Sequence, residues 1–550
     1  MILLHRIFDR RQALAVPLLW LASIAAAAPP VSEQVYASHL EALASDAFEG
    51  RKPGTDGETK TVEYLVQQFR QLGATPLAGT SFVQPVPLIE VAPRPEPQLS
   101  FRTARGVEAT TFGKDAVVFT KRQVPAVAIE DSPVVFVGHG VVAPEYGWND
   151  YAGVDMKGKT ALILINDPGF ATGDETLFRG RALTYYGRWT YKFEEAARQG
   201  AAAALIVHEN VPAAYGWATV VNSWANPQLD MQAADGRSGR VAIEGWLTQE
   251  RAAALLATAG QDFEDLKKAA STRGFKPVPL DVRATASVAN SLHASNSANV
   301  LAAIPGSRRP GEYVFYVAHW DHLGRTQGGE GDQTFNGAVD NATGVAGLLA
   351  IADAFRRAPA RPERTVVFLA VTAEEQGLLG SEYYVAHPLV PLAQTVAVFN
   401  MDALYFGGRT RDVRVVGAGA SELEDYLAEE AARRGIVPVP EAQPEKGHFY
   451  RSDHFSFAQA GVPALYLKTG IDDLQGGIAA GAAREADYVA RRYHQVGDNY
   501  APDAQLGAGL EVVDLLQAIG SRVANDTAFP QWKAGNEFRA ARERSRGAQR

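Results

Sequence analysis

In the second half of the chain, short unbroken apolar runs alternate with longer stretches of helical period. Residues 313–318 read as a buried strand, 344–355 as a helix, and 364–371 as a second strand. A helix follows near 377–386, then a third strand over 396–400 and a fourth over 464–467. Unbroken apolar runs of this length suit a sheet covered on both faces. Strand–helix–strand spacing builds an α/β sheet through right-handed crossovers. Near the N-terminus, 38–44 is amphipathic, and 59–72 returns to helical period with Val62, Tyr64, Leu65, Phe69 and Leu72 apolar. A polar loop punctuated by Gly and Pro, from Ser45 to Thr55, separates the two.

Between about 80 and 285 the texture changes. Prolines thicken over 85–97. β-like runs then occur at 115–119, 133–142 and 160–165, and another at 202–208 follows a helix over 194–198. A β-rich unit inserted between two halves of another domain accounts for this order. The expected layout is an α/β domain with a mixed central sheet flanked by helices, split over 31–84 and 286–528. Residues 85–285 form the insert, and 529–550, rich in Arg and Glu, form a flexible or helical tail. Tyr185, Tyr186, Trp189 and Tyr191 read first as packing inside the insert and second as a wall facing a cleft.

The first 28 residues read as an export signal. Arg6, Arg10 and Arg11 precede an apolar run over 13–22, and small residues accumulate from Ala25 to Ala28. The run is short for a bilayer span. Cleavage near Ala27 or Ala28 would leave a periplasmic or extracellular protein with no stable membrane association. The Arg10–Arg11 pair leaves both the twin-arginine and the general secretory route open. A net charge of −9 implies no basic face for nucleic acid.

The candidate chemistry lies where strands end. The first strand runs into His319-Trp320-Asp321-His322, the second into Ala373-Glu374-Glu375 and the third into Asn400-Met401-Asp402. Asp340-Asn341 immediately precedes a helix. Each piece alone has an ordinary structural explanation, such as a surface histidine–carboxylate pair or a helix cap. In α/β sheets, however, ligand sites lie beyond the carboxyl ends of the strands, and these residues share that rim. The chain has no cysteine, so a metal would be held by His, Asp and Glu, which suits zinc. Two zinc ions ~3.5–4 Å apart need a shared carboxylate and about two further ligands each. Asp340 can be shared. His319 and Asp402 complete one set. Glu375 supplies half of the other, which then needs a second histidine. His448, His454 and His494 all follow the third strand, and spacing does not choose among them.

The segments Ala318-His-Trp-Asp-His-Leu-Gly324, Gly337-Ala-Val-Asp-Asn-Ala-Thr-Gly344 and Thr372-Ala-Glu-Glu-Gln-Gly-Leu-Leu-Gly-Ser381 resemble metallopeptidase family twenty-eight. So do Asn400-Met-Asp402, Arg451-Ser-Asp-His454, Ala460-Gly-Val-Pro463 and Tyr493-His494. The likeness covers roughly 290–500 and the entry at 36–80. It is strongest to the zinc aminopeptidases with an inserted protease-associated (PA) domain, which 154–163 and 196–207 resemble. The resemblance implies a zinc-peptidase fold of the phosphorylase/hydrolase-like kind, two Zn2+ per chain and peptide substrates. It implies that His319 and Asp402 hold one zinc, that Glu375 and His494 hold the other, and that Asp340 bridges through a cis Asp340–Asn341 peptide. Glu374 becomes the general base, Asp321 the acceptor for His319, and Tyr493 a donor to the oxyanion. A carboxypeptidase or dipeptidase of the same fold, a one-zinc glutaminyl cyclase and a non-catalytic PA-domain binding protein are the alternatives. Tyr405, Phe406, Phe449 and Tyr450 flank the site and suit either an apolar substrate pocket or core packing. Oligomeric state is not legible.

Overall fold

The computed structural model describes residues 29–224, 227–326 and 331–547; the expected export signal lies outside them. One strand organises the molecule. Val278–Ile304 is 27 residues long, and its burial changes character along its length. Leu280, Val282, Ala284, Ala286 and Val288 are buried, while the residues between them are exposed, the pattern of a strand with one wet face. From Ser297 to Ala303 every residue is buried, as in a strand covered on both sides. The first part pairs antiparallel with Ala126–Phe136, the middle with Val83–Pro93 and the end with Arg364–Val371.

This strand therefore belongs to two sheets. The boundaries expected at 84/85 and 285/286 fall inside Val83–Pro93 and Val278–Ile304. The chain passes between the units as a hydrogen-bonded ribbon, which keeps its backbone groups paired along the way.

In the main sheet, Arg364–Val371, Arg309–His319, Thr395–Asn400 and Ala464–Thr469 lie side by side and parallel. Asp412–Val416 follows antiparallel to Ala464–Thr469, and Val437–Pro440 pairs parallel with its outer side. Period-two geometry sorts the side chains of Arg309–His319. Val314, Tyr316 and Ala318 enter the core formed with helices Glu33–Leu43, Asp56–Gln71, Thr343–Arg357 and Gly507–Asn525. Phe315 and Val317 enter the opposite core with Tyr384, Phe457 and Trp532. The stretch Ala338–Arg357 is apolar enough by composition to cross a membrane, but its apolar window is buried between these elements and only Arg356 and Arg357 at its end are exposed. Its glycines set a close approach: a Cβ on Gly347 would lie 2.8 Å from Met401 Sδ, and one on Gly344 2.5 Å from the Met401 carbonyl. The helix thus sits tightly on the loop that carries Asp402.

Residues 529–547 of the expected flexible or helical tail include a helix and pack on the main domain. Trp532 donates to the Gly461 carbonyl. Phe538 is buried, and helix Arg539–Gly547 buries Arg542, whose guanidinium donates to the Thr395 carbonyl at 2.8 Å.

The inserted region contains more helix than its β-rich sequence texture suggests. Ala126–Phe136, Thr160–Leu164, Ala203–His208 and Ile243–Thr248 form a parallel array in that order. Helices Trp189–Arg198, Gln249–Thr258 and Phe263–Ala270 accompany it. Tyr185 leaves this unit to pack on Phe455 of the main domain, with ring centroids 5.4 Å apart. Tyr186 and Tyr191 stay inside it, 5.1 Å from each other.

Candidate metal centre

Five segments at the carboxyl edge of the main sheet deliver the rim residues. Arg309–His319 ends on His319 itself. Arg364–Val371 is followed by Thr372 and by Ala373, whose φ of 54° lies in the left-handed region. This turn precedes Glu374 and Glu375 and lets adjacent side chains point to different places. Asp402 follows Thr395–Asn400, with Ala403 at φ 52° after it. Asp340 precedes helix Thr343–Arg357, and the Asp340–Asn341 peptide is cis. His494 lies after helix Gly477–Arg491, with φ 56°. A non-glycine residue in the left-handed region costs of order 1 kcal/mol or more, and such positions cluster at functional sites.

The side chains converge. His319 Nε2 is 3.3 Å from Asp340 Oδ1, 3.3 Å from Asp402 Oδ1 and 3.9 Å from Glu374 Oε2. His494 Nε2 is 3.2 Å from Asp340 Oδ2 and 3.0 Å from Glu375 Oε2. Asp340 therefore turns one oxygen toward each histidine, and the two glutamates face opposite sides. His319, Glu374 and Asp402 offer ligand atoms within 4.8 Å of one another, as do His322, Asp340 and Glu375.

The charge balance of this cluster calls for a cation. Burial pushes Glu374 well above the usual carboxylate range, helped by the negative charges of Asp402, Glu375 and Asp453 and opposed by His319. Burial would lower His319, but Glu374, Asp340 and Asp402 raise it well above 6.5. Burial opposes ionisation of Asp340 too, yet His319 and His494 hold it well below the normal value. Glu375 sits at about 2 despite burial and Asp340, because His494 and His322 stabilise its charge. His494 is raised to about 10, against burial, by Glu375 and Asp340. Carboxylates thus outnumber imidazoles in a dry site, and a divalent ion relieves that excess. All donors are nitrogen or oxygen, which fits zinc.

The surroundings revise one expected role. The His319 Nδ1–H donates to the backbone carbonyl of Asp321 at 3.1 Å; the Asp321 carboxylate is 3.8 Å away. That carboxylate instead accepts the backbone N–H groups of Glu374 at 3.0 Å and Glu375 at 3.4 Å. It is spent on the turn that bears the glutamates, because their two amides approach it from the neighbouring strand end. The backbone bond still fixes the His319 tautomer and leaves Nε2 facing the cluster.

Four positioning residues lie outside the expected set. His322 is fully buried, with Nδ1 2.6 Å from Glu375 Oε1. Asp498 accepts the backbone N–H groups of Val339 and Asp340, each at 3.1 Å. Ser452 donates to Asp402 Oδ2 at 2.7 Å. Arg51 is buried and donates to the carbonyls of Leu43, Trp320, Asn336 and Gly337. It ties the His319 loop to the Asp340 loop. His322 and Ser452 lie inside the marked segments Ala318–Gly324 and Arg451–His454, whereas Asp498 lies just beyond Tyr493–His494 and Arg51 sits in an unremarkable polar loop. Only its three-dimensional neighbours give it a role.

The remaining candidates divide cleanly. His448 is 2.8 Å from Glu441, and His454 is buried between Phe449 and Tyr466, with rings at 4.6 and 5.0 Å. Neither joins the cluster. Tyr493 is 46% exposed and stacks on His494 at 4.0 Å, and burial together with the nearby Asp340 and Glu375 raises its phenol. Tyr405 packs on Tyr488, Phe406 on Tyr500, Phe449 on Phe538 and Tyr450 on Phe455.

Buried histidines and carboxylates at the carboxyl edge of a mixed α/β sheet form a site suited to a metal ion, and the family match supports a metallopeptidase. Residues 299–511 match the model of peptidase family M28, and the chain carries a domain of that family. A 145-residue stretch is 34% identical to Aminopeptidase NAALADL1 of Rattus norvegicus, covering 25% of this chain and 18% of that one. An 88-residue stretch is 40% identical to a probable zinc metalloprotease of Pyrenophora teres f. teres (strain 0-1), covering 16% of this chain and 18% of that one. The chain thus spans less than a fifth of these relatives' length. Among solved structures, the aminopeptidase from Aneurinibacillus sp. strain AM-1 shares the fold, with a TM-score of 0.51 and 21% identity over 91% of this chain and 95% of that one.

Proposed function

We propose that this protein is an aminopeptidase that holds two zinc ions and removes residues from the N-termini of peptides. The observation that carries the reading is Asp340, whose Oδ1 faces His319 at 3.3 Å and whose Oδ2 faces His494 at 3.2 Å, as a carboxylate shared by two ions must. His319 and Asp402 would hold one ion, and Glu375 and His494 the other. The M28 match and the name of the relative NAALADL1 support the peptidase reading; the name of the fungal relative supports zinc.

Bound zinc would supply Lewis acidity toward the scissile carbonyl and make water a better nucleophile at neutral pH. The rest is the work of this chain's residues. Glu374 takes a proton from the attacking water at its carboxylate and returns it to the leaving amine. Its burial among carboxylates favours holding that proton between the two steps. Asp321 fixes the Glu374 backbone through the 3.0 Å bond, so the base stays aimed. Tyr493, beside His494, would donate to the developing oxyanion.

The test compares wild type with Glu374→Gln for metal content and for turnover of a peptide panel. Two zinc ions in both proteins, with turnover lower by about 10²–10⁴-fold in the variant, is the expected result. N-acetylated peptides should resist cleavage; if they are cut as fast as free ones, the aminopeptidase assignment is wrong. One zinc per chain would remove the shared-ion role of Asp340. The same reading includes a PA-like insert and export of the mature chain, which fractionation with N-terminal sequencing would check through cleavage near Ala27 or Ala28.

A further inference from the structure

The inserted sheet has a cleft of its own. A cavity of about 580 Å3 lies beyond the carboxyl ends of its four parallel strands, within the ~300–1,000 Å3 typical of small-ligand sites. Every strand contributes to its lining: His139 follows Ala126–Phe136, Asn166 follows Thr160–Leu164, His208 ends Ala203–His208, and Thr248 ends Ile243–Thr248. Parallel sheets bind ligands in this position.

His208 shows that the cavity is built for a polar occupant. It lines the cavity at 3% exposure, and neither ring nitrogen has a hydrogen-bond partner. The ring is held among Tyr215, Trp217 and Trp246 at 5.5, 5.6 and 6.0 Å. An unmet buried donor or acceptor costs ~1–3 kcal/mol, which a bound partner would recover. Other charges in the wall are already matched: Lys267 pairs with Glu209, and Asp167 accepts from the Thr184 hydroxyl at 2.6 Å. At the rim, Arg181 lies over the Phe170 ring at 4.9 Å, and Glu250 lines the opening; neither forms a salt bridge among the described residues. One cation, one carboxylate, one unsatisfied imidazole and the aromatic faces of Phe170 and Trp217 remain for a ligand.

We propose that this cavity is a second, non-catalytic site that binds a short zwitterionic peptide with an apolar side chain. Arg181 takes the peptide's carboxylate, Glu250 its ammonium, His208 a peptide amide, and Trp217 with Phe170 the side chain. A neighbouring cleft shares Phe170 and Arg181 and reaches Glu445 and Lys446 of the M28 domain, so a bound peptide would sit at the seam between the two units. The proposal rests on the lining of the insert and stands apart from the catalytic reading.

Hydrogen–deuterium exchange tests it on full-length, zinc-loaded Glu374→Gln protein with Leu-Gly-Gly. The expected result is slower exchange over 203–217 and 245–256, with midpoints raised about tenfold for the N-acetyl or the C-amide peptide, the loss of one charge-assisted contact. His208→Phe, which keeps the aromatic packing, should abolish protection of those segments and leave that over 318–324 intact. Protection confined to 318–324, protection of the insert unchanged in Arg181→Gln and Glu250→Gln, or protection by inorganic phosphate in place of the peptide would each overturn the proposal. Failure of the catalytic reading appears separately, as unchanged hydrolysis in Glu374→Gln.

Discussion

The main sheet and the inserted sheet pose the same geometric problem and answer it with opposite chemistry. Each lines up four parallel strands and gathers chemistry-bearing side chains beyond their carboxyl edge. At the main edge, Asp340, Glu374, Glu375 and Asp402 crowd around two histidines at 3.0–3.9 Å, with the ionisation of Glu374 and Glu375 displaced in opposite directions. At the inserted edge, Lys267 pairs with Glu209, Asp167 accepts from the Thr184 hydroxyl, and His208 is left neutral in an aromatic box. A parallel sheet supplies the place. The net charge buried there decides whether the occupant is a cation or an uncharged or zwitterionic molecule.

Asp340→Ala should break the comparison most sharply, because it removes the carboxylate that faces both histidines. Peptide turnover should fall about 10⁴-fold, worth ~5 kcal/mol of transition-state stabilisation, with zinc content reduced by mass spectrometry. Exchange protection in the insert should not change. Arg51→Met comes next. The buried guanidinium holds four carbonyls from three loops, and its loss should cost about 3–5 kcal/mol in denaturant unfolding, with the main domain melting ahead of the insert. His322→Phe should weaken zinc binding by about 10–100-fold, as loss of a residue that orients a ligand does, while a competitive chelator titration of wild type sets the reference.

The smallest effect concerns pH and belongs to the insert. Burial lowers His208 to about 4 and His139 to about 3, from 6.5. Below pH 6.5 the unfolded chain takes up protons that the folded insert refuses. Stability is therefore full above 6.5 and is lost as pH falls toward 4. The thermal midpoint should drop across that window, and His208→Phe should flatten the drop by about 1 kcal/mol, or ~2–4 °C. An equal slope in the variant would show that His208 is not the group refusing the proton.

Much of this was readable along the chain because local patterns carried it. Arg364–Val371 is apolar throughout and is buried throughout. Val278–Ile304 was harder, since its alternating first half and continuous second half belong to different sheets. Tyr185 and Phe538 gave no sign of their partners, which come from far along the chain.

The sequence by itself determined the elements, their order and the residue types that end each strand, because periodicity and local chemistry act over a few residues. It also required that any metal be held by nitrogen and oxygen. It could not choose among His448, His454 and His494 without a family likeness, since that depends on a distance across more than 150 residues, which only the closed fold sets. The tertiary structure alone gave the Asp321 carboxylate to the Glu374 turn, recruited His322, Asp498 and Arg51, and brought four strand ends of the insert around one cavity. In each case the deciding quantity was the convergence of groups remote in sequence into a space without water, where pairing and charge balance carry the most energy.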